Sequence, residues 1–170
     1  MNGTLQGLQR WDTRMSCLLS GRVRSGSVVA VLRAASWAGN FGISVATGLL
    51  LSMVAEPRVS LRFVCASLLA LVLQKVLKAS APRVRPCLLE GGPEQRVPIP
   101  DAGSFPSGHA LHAVLCAVVV AHQLPWLGAF YVPLAVLVTV SRVALGVHYP
   151  ADVAAGGAIG AGLATIVLLS

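Results

Sequence analysis

Residues 107–170 read SGHALHAVLCAVVVAHQLPWLGAFYVPLAVLVTVSRVALGVHYPADVAAGGAIGAGLATIVLLS. This stretch contains three long apolar runs, separated only by short breaks at 125–126 and 146–150. A helix needs about 20 mostly apolar residues to cross the hydrocarbon core of a bilayer. The stretch therefore predicts three consecutive membrane helices. They cover about 107–124, 127–145 and 151–170.

Two further apolar runs precede this stretch, at about 36–55 and 59–77, with a tight break at Glu56-Pro57-Arg58 between them. Together the five runs predict an all-α fold, a polytopic transmembrane helical bundle with about five spans. The small residues of the last run, among them Gly156 and Gly160, predict close helix packing.

The composition supports a bilayer as the natural environment of the chain. Hydrophobic residues make up 55% and charged residues 11%, whereas soluble domains average about 25% charged residues. The mean hydropathy is +0.76. The net charge of +7 would suggest nucleic acid in a soluble protein. Here the cations lie at the ends of apolar runs and in one loop, which favours membrane anchoring and anionic substrates and predicts no nucleic-acid partner.

The sequence predicts one membrane-embedded domain over residues 1–170. Within it, residues 1–26 are expected to form an amphipathic interfacial helix, because apolar and charged residues alternate along the segment. No cleavable signal peptide is expected, since residues 1–14 have no apolar core. Residues 78–106, which are rich in proline, glycine and charge, form the long polar loop of the chain.

Three polar clusters carry the residues that suggest chemistry. They read KASAPRVRP at 78–86, SFPSGH at 104–109 and SRVALGVHYPAD at 141–152. Two predicted spans separate the loop 78–106 from the break at 146–150, so both must lie on the same membrane face. The sequence therefore predicts that the three clusters meet at one site, with 78–106 as its active-site loop.

The residue types in these clusters predict an anion site. Lys78, Arg85 and Arg142 are cations that need an anion if they converge, and phosphate oxygens match the guanidinium group. Ser107 and Gly108 directly precede an apolar helix, whose N-terminal N–H groups would bind an anion. Gly108 would allow close approach of the backbone, and the Ser107 hydroxyl can cap the helix or donate to phosphate.

Two histidines complete the set. His148 and Asp152 stand four residues apart, across a proline that suits the first turn of a helix. At that spacing the carboxylate can reach one ring nitrogen, fix the tautomer and leave the other nitrogen as a nucleophile. His109, on the opposing cluster, is expected to protonate a leaving oxygen.

These clusters resemble the three-part signature of the type-2 phosphatidic acid phosphatase superfamily. That signature runs K-x-x-x-x-x-x-R-P, then P-S-G-H, then S-R-x-x-x-x-x-H-x-x-x-D, and every position is present here with the family spacing. The resemblance covers about residue 75 to the C-terminus and looks like the membrane-embedded bacterial lipid phosphatase branch. It implies an α-helical bundle, no metal and a phosphohistidine intermediate. The fuller membrane form of the family has six spans, so the first span is expected to be missing or reduced to the interfacial segment.

The resemblance also implies a role for each motif position. His148 resembles the nucleophile, Asp152 its orienting partner and His109 the general acid. The residues that resemble the phosphate binders are Lys78, Arg85, Ser107, Gly108 and Arg142.

The predicted function is hydrolysis of a lipid phosphate monoester or pyrophosphate. Polyprenyl pyrophosphate, phosphatidylglycerophosphate and phosphatidic acid all fit, and the short chain favours the first two. Three alternatives stay open: a lipid phosphotransferase, a vanadate-dependent haloperoxidase-like protein and a non-catalytic lipid-binding protein. The long apolar runs argue against the haloperoxidase, and the complete motif set argues against the non-catalytic protein.

The expected partners are the lipid phosphate and the bilayer, with no cofactor and no metal, because no carboxylate or cysteine cluster has ligand spacing. The four cysteines form no C-x-x-C pair. A multi-pass protein of the cell membrane is expected, most simply the bacterial inner membrane. The N-terminal arginines favour a cytoplasmic active face, whereas bacterial members of the resembled family more often face outward.

Overall fold

The computed structural model describes residues 3–169, with side chains from residue 6 onward. The ends of the predicted domain 1–170 and of the segment 1–26, namely residues 1, 2 and 170, lie outside the described residues. Residues 3–169 form seven α-helices and no β-strand. The helices are α1 (Gly3–Arg22), α2 (Gly26–Ala38), α3 (Phe41–Val54), α4 (Pro57–Ser80), α5 (Gly108–Gln123), α6 (Pro125–Ala144) and α7 (Pro150–Leu169).

Proline begins three of the long helices, because its fixed φ suits the first turn and its missing N–H has no intrahelical partner there. These prolines are Pro57 in α4, Pro125 in α6 and Pro150 in α7. The loop between α4 and α5 contains a short 3₁₀ helix, Pro86–Leu88, and an isolated β-bridge between Val84 and Gly103. The helices therefore begin close to the breaks that the sequence indicates.

The predicted transmembrane helical bundle is confirmed. Helices α4, α6 and α7 are long and apolar enough to cross a bilayer, and the pair α2–α3 would add a fourth span if its two bent helices count as one. Helix α5, the predicted third span, is shorter than these. Large apolar side chains point outward on several helices, as expected for lipid contact. Examples are Leu49, Met53, Leu61, Val72 and Phe130.

The run predicted at 36–55 begins earlier and is broken. Helix α2 ends at Ala38, α3 begins at Phe41, and the two are bent by 56°. The break lies against the bundle, since a β-carbon at Gly39 would collide with Val138 and meet His109. Gly39 therefore lets the broken segment pass directly beside a residue of the predicted site.

Helix α5 forms the centre of the bundle. Its residues Leu111, Leu115 and Val119 are fully buried in the main apolar core. Helix α7 packs closely on it, because a β-carbon at Gly160 would collide with the carbonyl oxygen of Leu111 in α5, and one at Gly156 with that of Ser107, which directly precedes α5. Small residues thus bring the two helices into contact, as the sequence predicts, and α5 holds its N-terminus in the middle of the fold.

Helix α1 confirms the predicted N-terminal helix but turns its polar stripe inward. Asp12, Ser16 and Ser20 are buried, whereas Trp11 and Leu18 are about half exposed. The helix ends at Arg22 and packs on α6 and α7. Its apolar side chains thus face outward, and its small polar side chains face the protein.

Candidate active site

The loop between α4 and α5 and the turn between α6 and α7 meet at one end of the bundle. Nη1 of Arg85 donates to the carbonyl oxygen of Val147 at 3.1 Å, and the amide of Ser107 donates to the carbonyl of Asp152 at 3.0 Å. Gly146 makes the turn with a φ of +80°, a conformation that favours glycine. The structure therefore brings the three polar clusters together, as the span count predicts.

His148 lies in the turn just before α7 and is 2% exposed, and Asp152 lies in the first turn of α7 and is fully buried. Nδ1 of His148 is 3.5 Å from Oδ2 of Asp152, which also accepts the backbone N–H of Tyr149 at 2.9 Å. The separation is longer than a normal hydrogen bond. Such contacts in substrate-free sites often shorten only when substrate binds.

The other ring nitrogen of His148 faces the pocket. Its Nε2 lies 3.1 Å from Nη1 of Arg85. A guanidinium group has donors only, so Nε2 accepts this hydrogen bond and carries a lone pair. In the neutral ring the proton is then on Nδ1, directed towards Asp152. The tautomer predicted from the His148–Asp152 spacing is the one that these contacts favour.

The ionisation of His148 also suits a nucleophile. Burial, together with the charges of Arg142 and Arg85, lowers its pKa from 6.5 to about 4, against the opposing effect of Asp152. Each of the two cations disfavours the imidazolium form. The ring is therefore neutral at physiological pH, and Nε2 carries a lone pair in place of a proton.

Lys78 and Arg85 contact an acidic residue that the sequence analysis assigned no role. Nζ of Lys78 lies 2.8 and 3.0 Å from the two carboxylate oxygens of Asp101. Arg85 donates to one of these oxygens at 3.1 Å and to the backbone oxygen of Asp101 at 2.7 Å. Burial alone would raise the pKa of Asp101, but the two cations hold it below its usual value. The carboxylate of Asp101 thus forms ion pairs with two of the predicted phosphate binders.

Arg142 and Ser107 are buried with unused hydrogen-bonding capacity. Nη1 of Arg142 donates to the Ser36 hydroxyl, while its Nε has no hydrogen-bond partner among the described residues. Ser107 precedes α5 without capping it, and its hydroxyl also lacks a partner within the described part of the chain. Buried polar atoms of this kind usually find a partner, so both groups are suited to an incoming anion.

Two cavities meet at the site. A pocket of about 200 Å³ is lined by His148, His109, Lys78, Arg85 and Arg142, among others. A larger, open cleft of about 1160 Å³ adjoins it, and His109 and Arg142 line both. The larger cleft also has walls formed by Trp37, Ile99 and Arg96. A headgroup bound in the small pocket can therefore extend past His109 into a mixed polar and apolar cleft.

The surroundings of Gly108 and the secondary structure at Lys78 differ from the predictions. A β-carbon at Gly108 would collide with the amide oxygen of Gln74, a side chain of α4 that the sequence analysis did not consider. Lys78 belongs to the last turn of α4 and not to the loop that follows, because α4 continues to Ser80. Helix α4 thus contributes three polar side chains to the pocket, namely Gln74, Lys75 and Lys78.

Three further polar residues near the site were missed from the sequence. Arg83 and Asp12 form an ion-paired network with Asp152, and Asp101 binds the pocket cations. Arg83 lies inside the first motif at a variable position, and this is only a weak indication in the sequence that it contacts the site. For Asp12 the indication is its spacing, because Asp12, Ser16 and Ser20 follow one another at i, i+4 and i+8 and so form a polar stripe on one face of a helix.

Residues 60–170 match the family model of the PAP2 superfamily. Among curated proteins, the chain is 36% identical over 115 residues to the undecaprenyl-diphosphatase of Sulfolobus acidocaldarius, covering 67% of this chain and 56% of that protein. It is 42% identical over 73 residues to the decaprenylphosphoryl-5-phosphoribose phosphatase of Mycobacterium tuberculosis, covering 42% and 39%. The chain thus spans about half the length, or less, of these relatives.

Two solved structures resemble the whole bundle. A transmembrane PAP2 type phosphatidylglycerolphosphate phosphatase from Bacillus subtilis superposes with a TM-score of 0.77 at 26% identity, covering 95% of this chain and 85% of that one. The LpxE structure from Aquifex aeolicus superposes with a TM-score of 0.83 at 23% identity, covering 94% and 96%. The second likeness concerns the fold alone.

Proposed function

The chain belongs to the PAP2 superfamily, and from that premise we propose that it is a membrane phosphatase that hydrolyses a lipid phosphate through a phosphohistidine. One observation carries the proposal. Nε2 of His148 opens onto a pocket lined by Lys78, Arg85 and Arg142, while the opposite ring nitrogen faces Asp152. A neutral nucleophile within a cluster of cations suits attack on a phosphate group.

In the first step, the Nε2 lone pair of His148 forms a bond to phosphorus as the bond from phosphorus to the lipid oxygen breaks. Arg85, Lys78 and Arg142 stabilise the negative charge on the remaining phosphate oxygens. His109 acts in its imidazolium form, which the negative charge of a bound phosphate favours, and it donates a proton to the departing oxygen, which leaves as the lipid alcohol or lipid phosphate. Asp152 stabilises the positive charge that develops on the ring.

In the second step, water hydrolyses the phosphohistidine. His109, which lost its proton in the first step, now accepts one from the attacking water. The oxygen of that water binds phosphorus, the nitrogen–phosphorus bond breaks, and its electron pair returns to Nε2. Inorganic phosphate leaves, and both histidines regain their starting protonation.

Polyprenyl phosphates and diphosphates are the proposed substrate class. Two curated relatives are named for polyprenyl-linked substrates. The cleft beside His109 combines Trp37 and Ile99 with Arg33 and Arg96, so it offers both apolar contacts and positive charge next to the small pocket. The site also lies at the ends of apolar helices, where a headgroup can reach it while the chain stays in the bilayer.

The test is phosphate release from purified protein in detergent, with a panel of polyprenyl diphosphate, phosphatidylglycerophosphate and phosphatidic acid, in the presence of a chelator. We expect release without added metal, fastest for the polyprenyl substrate. Among residues 3–169 no group of three or more His, Cys, Asp or Glu is arranged to hold a metal ion. His148→Ala should lose about 10⁴-fold or more of the rate.

His122→Ala is the matched control, because His122 is exposed and lies at the opposite end of α5 from His109. It should retain the wild-type rate. Loss of turnover in chelator that magnesium restores would contradict the mechanism. Transfer of labelled phosphate to a second lipid, with no inorganic phosphate released, would identify a transferase.

A further inference from the structure

A buried carboxylate on α1 contacts the segment that carries the proposed nucleophile. Asp12 has no exposed surface. Its Oδ1 accepts the backbone N–H of Ala151, in the first turn of α7, at 3.0 Å, and its Oδ2 accepts Nη2 of Arg83 at 2.6 Å. Ser16, one turn further along α1, has its hydroxyl 3.5 Å from the carbonyl oxygen of His148. Helix α1 thus contacts both ends of the short segment 148–151.

Arg83 joins Asp12 to Asp152. Its Nη1 donates to Oδ1 of Asp152 at 2.9 Å, and its guanidinium lies 3.8 Å over the ring of Tyr149. Burial would lower the pKa of Arg83, but the two carboxylates raise it above its usual value, so the cation is permanent. The contacts form a continuous chain from Asp12 through Arg83 and Asp152 to His148.

We infer that Asp12 and Arg83 are positioning residues, which hold the Asp152 carboxylate, and through it the His148 ring, in the orientation for attack. The inference rests on the proposed function. Neither residue belongs to the three motifs by its side-chain type, and neither touches the pocket that would hold the phosphate. Helix α1 thereby becomes part of the reaction machinery, although its sequence resembles a membrane-surface helix.

The geometry of Asp152 explains why such support is needed. Its Oδ2 must face His148, yet a carboxylate can rotate about its Cβ–Cγ bond. Arg83 holds Oδ1 and the Tyr149 N–H holds Oδ2, so the plane is fixed from both sides. Asp12 holds the guanidinium of Arg83 from the other side, so that Arg83 stays directed at Asp152. Outer hydrogen-bond partners of this type orient functional histidines in other sites.

A role in stability alone is a poor explanation for this network. Burying charged groups has a large desolvation cost, and a buried ion pair is often no more stabilising than apolar residues of the same volume. Apolar side chains would dock α1 as well as Asp12 does. The position of the network, directly behind the proposed nucleophile, indicates that orientation is its function.

The test compares Asp12→Asn and Arg83→Gln with two exposed, matched controls, Glu90→Gln and Arg14→Gln. We expect kcat to fall about 10- to 100-fold in the first pair, the range typical of outer-shell partners, with KM and vanadate inhibition changed less than about threefold. Both controls should keep the wild-type kcat. Arg83→Lys, which keeps the charge, should recover part of the loss.

A second measurement separates positioning from general damage to the fold. In an Asp152→Asn background, Asp12→Asn should cause little further loss of kcat, because the network acts through Asp152. An independent, full-size loss in that background would overturn the inference. So would unchanged kcat in the single variants of an active enzyme.

A third readout needs no substrate, so it also distinguishes this inference from the proposed function. Nitrogen-15 NMR of histidine-labelled protein reports which ring nitrogen of His148 carries the proton, the signal being assigned by its loss in His148→Gln. Asp12→Asn and Arg83→Gln should mix the tautomers, whereas Glu90→Gln should not. A wild-type protein that releases no phosphate refutes the proposed function alone, and an unchanged His148 signal in both variants refutes the inference alone.

Discussion

The Nε2 side of the His148 ring faces three cations and one exposed carboxylate, whereas the Nδ1 side faces buried carboxylates that share Arg83. Asp101, on the first side, is carried by a loop and its side chain is 44% exposed. Asp152 and Asp12, on the second side, have no exposed surface. We therefore expect that a substrate anion can displace the carboxylate of Asp101 but not those of Asp152 and Asp12.

This difference shows how the His148 ring can be fixed in orientation on its Nδ1 side while its Nε2 side stays accessible to an anion. Three cations lie close together in the pocket, namely Lys78, Arg85 and Arg142, and their like charges repel one another. The carboxylate of Asp101 offsets part of this charge by pairing with Lys78 and Arg85. The network on the opposite side is bound at every oxygen by backbone or guanidinium donors. Substitutions of the same chemical type should therefore have very different consequences on the two sides.

The largest effect should come from Asp152→Asn. The amide keeps the size of the side chain but brings an NH₂ group against the donors of Arg83 or Tyr149, and it no longer favours a proton on Nδ1 of His148. We expect kcat to fall about 10²- to 10⁴-fold, as when a carboxylate partner of a catalytic histidine is replaced by its amide. Quenched-flow trapping of labelled phosphoenzyme should show its formation slowed by the same factor.

Vanadate inhibition is the internal control for this variant, since the anion binds on the other side of the ring. The inhibition constant of vanadate should change only a few-fold in Asp152→Asn. If the variant formed phosphoenzyme at the wild-type rate, contacts at Nδ1 would not matter for the attack by Nε2.

The two sides also differed in how well the sequence predicted them. Lys78, Arg85 and Arg142 were found because motif spacing and the parity of apolar runs bring them to one face, and the structure brings them together. Their roles stay predictions. Asp12 was missed because its contact with Ala151 spans 139 positions and no motif marks it. The helical pattern shows that α1 has an apolar face and a polar face. It does not show which of the two is buried, because in a bilayer the apolar face can contact lipid.

The break between α2 and α3 was missed for a related reason. Apolar residues lie on both sides of Gly39 and Asn40, so the sequence predicts one span there. In the structure the segment bends at this point, and Gly39 lies against Val138 and His109. The sequence assigns Asp101 no role in the site, because it gives no distance between a loop carboxylate and two cations.

An effect of intermediate size is expected in the pH dependence of phosphoenzyme formation. The pKa of His148 is lowered to about 4 by burial and by the charges of Arg142 and Arg85, so its ring stays neutral as the pH falls through 6.5. The ionisation of His148 should therefore leave the rate of phosphoenzyme formation unchanged down to about pH 4, whereas a histidine with an ordinary pKa would lower that rate near pH 6.5. Nitrogen-15 NMR titration of the His148 ring gives this value directly and separates it from ionisation of the substrate.

Asp152→Asn sharpens the same measurement, since Asp152 is the group that raises the pKa of His148. Its loss should move the titration to still lower pH. A His148 titration near 6.5 in the wild-type protein would show that the ring is more hydrated than its 2% exposure indicates.

The smallest effect should come from Asp101→Asn, the same carboxylate-to-amide change on the exchangeable side. The amide removes the charge that competes with an incoming anion for Lys78 and Arg85. Exposed ion pairs are each worth about 0.2–1 kcal/mol, so vanadate should inhibit about three- to tenfold more tightly, with kcat nearly unchanged. Because the two cations keep the pKa of Asp101 below its usual value, the difference should persist across the neutral range. Glu90→Gln, which alters net charge equally on the same loop, should leave inhibition unchanged and so excludes a general electrostatic cause. Weaker vanadate inhibition in Asp101→Asn would mean that this carboxylate holds the cations in place for substrate, and both sides of His148 would then be fixed frameworks.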